Sequence, residues 1–170
     1  MPARDRRAAK LPSWFLAAAL AASALCAATV LQLETVLYNH SPSLPVGFYL
    51  RRSAPPTRGA IVTVRALDVA PVEATQRAFT GRSDRFLKRI AAVAGDEVCF
   101  SETAVIVAGR TLLRRGDHQR APHASSPYGC RLLAPDEYFL VGDTPDSFDS
   151  RYWGAVSRDK IEGVWSQLIY

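Results

Sequence analysis

Two serines stand in a stiff segment, SPSLPVG at residues 41–47, where Pro42 and Pro45 restrict the backbone on both sides of Ser43. A nucleophilic serine must be held in one rotamer, exposed to substrate and close to a base, so a restricted backbone suits it. Gly47 allows a turn or a close substrate approach that a side chain would block. The same composition also suits a plain linker. A base is available at Lys88, inside the otherwise apolar run RFLKRIAAVAG at residues 85–95. Loss of hydration there lowers a lysine's pKa, and a lowering of about 3 pH units, costing roughly 4 kcal/mol, lies within what burial achieves. The neutral amine can then take a proton. The alternative is that Lys88 and Arg89 alternate, one reaching water and the other paired with an acid.

A third segment, VGDTPDSFDSRYWG at residues 141–154, is dense in turn formers and carries Asp143, Asp146, Ser147, Asp149, Ser150 and Arg151. Asp149 and Arg151 suit partners across a turn that order a site. Calcium is the rival, but the acidic positions and terminal glutamate of an EF-hand loop are missing. His40 would serve a Ser-His-acid hydrolase, yet it lies too near Ser43 to face it without a sharp fold-back, and no G-x-S-x-G elbow is present. His118 and His123 lie in a polar stretch and read as solvated loop residues. No CxxC and no Cys/His cluster occurs, so a structural zinc site is not expected, and acyl transfer by a serine and a lysine needs neither a metal nor an organic cofactor.

These residues need a framework, and 170 residues provide one domain plus an anchor. The net charge of +5 and pI near 9.4 would suit a nucleic-acid binder, but the basic residues are scattered among acids rather than gathered in a stripe, so nucleic acid is not expected as a partner. Arg4, Arg6, Arg7 and Lys10 precede an uncharged span, WFLAAALAASALCAATVLQL at residues 14–33, which as a helix would be about 30 Å long, a hydrocarbon core's thickness. The positive-inside rule then makes residues 1–13 a basic cytoplasmic N-terminus, 14–33 a single inner-membrane anchor and 34–170 a periplasmic domain. A cleaved secretory signal is the alternative, since Ala19-Leu20-Ala21 and Ala22-Ser23-Ala24 offer small-x-small cleavage patterns. Arg6-Arg7 matches twin-arginine export in that pair alone.

Beyond the span the pattern is mainly β. GFYLRRS (47–53), GAIVTVRAL (59–67), AVIVAGRTLL (104–113), YFLVGD (138–143) and IEGVWSQLIY (161–170) are short β-branched and aromatic runs between turn residues, which reads as an antiparallel sheet system. One helix is expected over residues 69–80, with Asp68 as N-cap and Gly81 as stop. Residues 85–98 fit helix or strand by periodicity, and the Gly95-Asp96 turn favours a strand or hairpin. Residues 99–130 read as an inserted hairpin and loop. Cys26 lies in the span as a small apolar residue, and in an oxidising compartment Cys99 and Cys130 can close the insertion as a disulfide, two free thiols being the alternative.

Three separated segments, in this order, resemble the boxes of type I signal peptidases, membrane-anchored serine peptidases that use a Ser-Lys dyad. SPSLPVG is similar to the nucleophile box, FLKRIAAVAGDEV to the lysine box and GDTPDSFDSRYWG to the GD…DS.DSR.WG box. The resemblance implies an N-terminal transmembrane helix followed by an antiparallel β-sheet catalytic domain. It implies Ser43 as nucleophile, Lys88 as general base, and an oxyanion hole made by the Ser41 hydroxyl and the Ser43 N–H. Ser147 matches a serine that hydrogen-bonds the lysine, Asp149 and Arg151 a pair that orders its surroundings, and Asp143 the acid of a Gly-Asp turn. Asn39, Ser41, Ser43, Pro45, Gly47 and Tyr49 follow N-x-S-x-S-x-P-x-G-x-Y, which resembles the conjugative-transfer, TraF-type branch. That implies a pilin-like precursor with small residues at the cleavage site as partner, with cyclisation as a further outcome. Ala94 stands where the lysine box often has proline. Apolar strands beside the anchor would rest the catalytic face on membrane lipid. The rivals are a general housekeeping signal peptidase and a non-catalytic anchored scaffold of a secretion apparatus.

Overall fold

The computed structural model describes residues 12–32, 35–101, 103–113 and 129–168. The N-terminal basic residues Arg4, Arg6, Arg7 and Lys10, and His118 and His123 with most of the polar loop of the insertion, lie outside the described residues. An Ala- and Leu-rich stretch without Gly or Pro forms helix α1, Ser13–Gln32. Among the described residues no helix is long and apolar enough to cross a membrane. Helix α1 and the body from Val36 onward are two separate units.

In the body, chain order is β1 Val36–Asn39, β2 Gly47–Arg52, β3 Ile61–Arg65, α2 Ala66–Val69, α3 Pro71–Gln76, β4 Arg85–Ala92, β5 Glu97–Phe100, β6 Ala104–Val107, β7 Arg110–Leu113, β8 Gly129–Leu132, β9 Glu137–Val141, α4 Ser150–Trp153, β10 Val156–Ser157 and β11 Ile161–Gln167. The expected antiparallel sheet system is present as a seven-stranded sheet, order β1-β2-β11-β3-β4-β9-β10, and a four-stranded one, order β7-β6-β5-β8. Fully covered Val62, Val64, Ile90 and Leu140 join Phe148, Tyr152 and Trp153 in the main core, each aliphatic side chain contributing about 1.5–3 kcal/mol by burial. Val98, Phe100, Val105 and Val107 of the small sheet pack on Ala92 and Phe139 of the large one.

Three local expectations are corrected. The single helix over 69–80 is instead α2 and α3, because Pro71 drives Ala70 out of helical geometry, to φ −146° and ψ 64°. Asp68 therefore sits inside α2 rather than capping a helix, and the helical chain ends at Gln76, before Gly81. The run 104–113 is two strands, β6 and β7, reversed at Ala108-Gly109. The run 59–67 is strand only over Ile61–Arg65: Gly59 and Ala60 belong to the preceding turn, and Ala66 starts α2. Residues 85–98 are β4, then a turn at Gly95-Asp96, then the start of β5, which pairs with β6 and β8 rather than with β4. Cys99 faces Cys130 across the β5–β8 pair, and the two are joined as a disulfide.

One feature of the pairing shapes the site. Strand β3 pairs with β4 along Arg85–Arg89, whereas β9 pairs with β4 only from Arg89 onward. The second edge of Phe86–Lys88 is thus left without a strand among the described residues.

Candidate active site

Ser43 lies in the loop between β1 and β2, which Asn39 and Gly47 close as cross-strand partners. Gly47 has φ +145°, a conformation that favours glycine. The loop is tied from within. The Asn39 carboxamide Nδ2 donates to the carbonyls of Ser41 at 2.9 Å, Leu44 at 3.1 Å and Pro45 at 3.1 Å, while its Oδ1 accepts from the Ser41 N–H at 3.1 Å. The Tyr49 hydroxyl donates to the Pro45 carbonyl at 2.7 Å. From outside the loop, the Asp143 N–H donates to the Ser43 carbonyl at 2.6 Å.

Strand alternation carries Lys88 to the covered face of β4, where it is 3% exposed, and its Nζ donates to Ser43 Oγ at 2.8 Å. Burial lowers the Lys88 pKa from 10.5 to about 8, with Asp149 opposing that fall, Arg151 adding to it and Asp143 opposing it. Ser41 Oγ lies 3.0 Å from Ser43 Oγ and accepts from the Ser43 N–H at 3.3 Å. Amine, hydroxyl and hydroxyl therefore form one line, Lys88 to Ser43 to Ser41. The chemistry open to such a line is proton transfer from a serine hydroxyl to a neutral amine, with an N–H and a second hydroxyl beside the reacting oxygen.

The third segment is held by a buried ion pair. Arg151 Nε and Nη2 each donate to Asp149 at 2.8 Å, and Asp149 also accepts from the Gly142 N–H at 2.9 Å. Arg151 further donates to the carbonyls of Ser147 at 2.9 Å and Pro145 at 3.0 Å. Burial opposes the Arg151 charge, and the hydrogen bonds and field of Asp149 outweigh it, so its pKa stands above the usual value. Asp143 pairs with Arg89 instead of facing Lys88 directly, with oxygens at 2.9 and 2.8 Å. That pair is more than one-third exposed at both ends.

Ser147 corrects an expectation. Its hydroxyl is buried and has no hydrogen-bond partner among the described residues, so the bond to Lys88 is not formed. The hydroxyl sits close over Gly142 instead, where an added Cβ would meet Ser147 Oγ at 2.2 Å and the Ser43 carbonyl at 2.8 Å. His40 is exposed and its ring lies 6.2 Å from that of Tyr38, so the base hydrogen-bonded to Ser43 is Lys88. The cluster Glu97, Cys99 and Cys130 has metal-like spacing among the described residues, but its sulfurs belong to the disulfide and offer no thiolate.

Ser43 and Lys88 open on a cleft of about 530 Å³, walled by Leu37, Thr63, Ala74, Phe86 and Phe148. A larger cavity of about 810 Å³, between Arg89, Asp143 and the β6–β7 hairpin, reaches neither Ser43 nor Lys88. Distance from the reacting atoms makes it the less relevant of the two. Reading the sequence missed Asn39 and Tyr49 as loop ties, Gly142 as the close-packed contact behind Ser43, and the Arg89–Asp143 pair. Asn39 two residues before Ser41 is the spacing of an Asx turn, a signal present in the sequence.

Comparison with known proteins bears on all three segments. Residues 8–170 match the family model described as signal peptidase, peptidase S26. A probable signal peptidase I-2 of Synechocystis is 34% identical over 64% of this chain and 45% of its own length. A plasmid transfer protein TraF of Escherichia coli is 31% identical over 82% of this chain and 85% of its own length. The chain thus spans under half of the first relative and most of the second. A crystal structure of a signal peptidase I from Enterococcus faecalis aligns at 21% identity over 65% of this chain and 97% of that one, with a TM-score of 0.37.

Proposed function

The chain belongs to the signal peptidase family, peptidase S26, and from that premise we propose that it is a serine endopeptidase in which Ser43 is the nucleophile and Lys88 the general base. The observation that carries the reading is the 2.8 Å contact between Lys88 Nζ and Ser43 Oγ, made by a lysine whose burial lowers its pKa to about 8. Near that pH a useful fraction of the amine is neutral. Neutral Lys88 takes the Ser43 proton as Ser43 Oγ attacks the scissile carbonyl, and the protonated amine then returns that proton to the leaving amine. The Ser43 N–H and the Ser41 hydroxyl turn from each other to the developing oxyanion. Water, activated by the same lysine, releases the acyl-enzyme. If a substrate amine attacks in its place, the product is a ring.

The substrate on this reading is an exported precursor, extended along the open edge of Phe86–Lys88 with its side chains in the cleft. Small residues flank its scissile bond. The likeness to a plasmid transfer protein over most of that protein's length supports a conjugative pilin precursor as the substrate. On this reading the uncharged span at residues 14–33 anchors the chain in the inner membrane, an assignment that rests on the sequence and not on helix α1, with the body on the periplasmic side and exposed Val36, Tyr38, Val46 and Phe48 suited to meet lipid.

Co-expression with a candidate pilin precursor tests this, with wild type, Ser43→Ala and Lys88→Ala compared by product mass. Loss of cleavage in both variants, with the proteins folded, supports the dyad. Processing that survives both returns the chain to a scaffold role. A product one water lighter than the linear peptide marks ring closure, and loss of secretion in general, rather than of pilus assembly, marks a housekeeping enzyme.

A further inference from the structure

Asn39 makes no hydrogen bond to the reacting pair, yet its contacts fall on the backbone that aims them. The side chain is covered, 7% exposed, and sits at the end of β1. One planar carboxamide grips both polar groups of Ser41, the N–H through Oδ1 and the carbonyl through Nδ2, and the same Nδ2 reaches the carbonyls of Leu44 and Pro45. The two hydrogens of that amide are therefore shared among three acceptors on either side of Ser43. With Ser41 held at both ends of its residue and Pro42 restricting the next backbone angle, the backbone that carries the Ser41 hydroxyl is fixed, and that hydroxyl lies 3.0 Å from Ser43 Oγ. The Tyr49 hydroxyl on the Pro45 carbonyl closes the far side of the loop.

We propose that Asn39 is a positioning residue for the acyl-transfer step, its carboxamide setting the aim of the Ser41 hydroxyl at the oxyanion. The inference rests on the peptidase reading above. It makes a specific chemical demand, because the donors are what matter. Aspartate at this position keeps the acceptor for the Ser41 N–H but sets a carboxylate oxygen against three carbonyls, and serine keeps at most the short acceptor.

The experiment measures kcat and KM separately for wild type, Ser43→Ala, Asn39→Asp and Asn39→Ser, the last two also made in a Ser41→Ala background. The substrate is a quenched peptide with alanine on both sides of the scissile bond, and thermal melts monitor folding. Wild type must cleave it and Ser43→Ala must not; failure there sinks the peptidase reading rather than this inference. Given that, each Asn39 substitution lowers kcat about 10²-fold with KM changed less than about threefold. With Asn39→Ser the midpoint of the acid limb of the pH profile stays in place, whereas the carboxylate of Asn39→Asp raises it by its field on Lys88. In the Ser41→Ala background either substitution adds less than about threefold, because both act through the same hydroxyl. A kcat within about threefold of wild type, or a full further loss in the Ser41→Ala background, overturns the proposal. Should Asn39→Asp fail to fold, Asn39→Ser is read by the same criteria.

Discussion

Lys88 and Arg151 are equally buried, 3% exposed each, and the structure treats their charges in opposite ways. Around Arg151, Asp149 and the carbonyls of the 144–147 turn satisfy the guanidinium, and it stays charged. Around Lys88 no carboxylate is within hydrogen-bond reach among the described residues, the contact is a neutral hydroxyl, and the amine's pKa falls to about 8. Burial alone therefore does not make a base. Burial lowers the amine's pKa here because no adjacent acid offsets it, and Asp149, which could have done so, is committed to Arg151 and the Gly142 N–H.

Removing the uncompensated charge breaks the comparison most sharply. Lys88→Met is expected to lower cleavage by about 10³-fold or more and, in the same protein, to raise stability by up to about 3 kcal/mol below pH 8. The unfolded chain holds the Lys88 proton up to pH 10.5 and the folded chain only to about 8. Between those values the unfolded state binds more protons, so wild-type stability rises with pH and the mutant's advantage shrinks. Thermal melts of both proteins at pH 7 and pH 10 check this, and wild-type kcat/KM should climb with pH through a midpoint of about 8. A mutant no more stable at pH 7 than at pH 10, relative to wild type, would mean that Lys88 pays no desolvation cost.

Asp149→Asn attacks the other side by stranding Arg151, and a loss of about 3–5 kcal/mol in urea titration is expected. Because Asp149 also holds the Lys88 pKa up, the acid limb of the pH profile should move to lower pH in whatever protein folds. The two regions meet at Gly142, whose missing Cβ leaves room for Ser147 Oγ and the Ser43 carbonyl. Gly142→Ala should cost about 1–3 kcal/mol by overpacking, read in the same titration, with reduced cleavage because the shift is delivered to Ser43. The smallest effect belongs to the exposed pair beside Lys88. Asp143→Asn should change stability by under about 1 kcal/mol, since both partners are screened by water. Its N–H to the Ser43 carbonyl survives the substitution.

The legible part of the fold was local. Periodicity left residues 85–98 open between helix and strand, and the Gly95-Asp96 turn favoured the strand that is β4. The break at Ala70 is equally legible, because Pro71 is the third residue of the expected helix 69–80 and disfavours helical geometry at the residue before it. Within the site, residue types at 41–47, 88 and 143–151 identified the segments, but one contact defied residue-by-residue transfer and another was not anticipated. Ser147 is packed over Gly142 rather than bonded to the lysine, and Asp143 is paired with Arg89, a contact for which the sequence carried no expectation. Side-chain direction at those positions depends on neighbours remote in sequence, which no local pattern records.

The sequence by itself determined the alternation of strands and turns, the stiffness of the loop around Ser43, and an apolar run around Lys88 that makes its charge expensive. Those are properties of a residue and its near neighbours along the chain. It took the packed fold to show that Lys88 meets Ser43 from 45 residues away, that the Asp149–Arg151 pair is buried and tied to the Gly142 N–H, and that Asn39 ties the loop carrying both serines. Contact distance, burial and the sharing of a few acceptors among competing donors are set when distant strands pack together, and those quantities convert an ordinary lysine and serine into a candidate reacting pair.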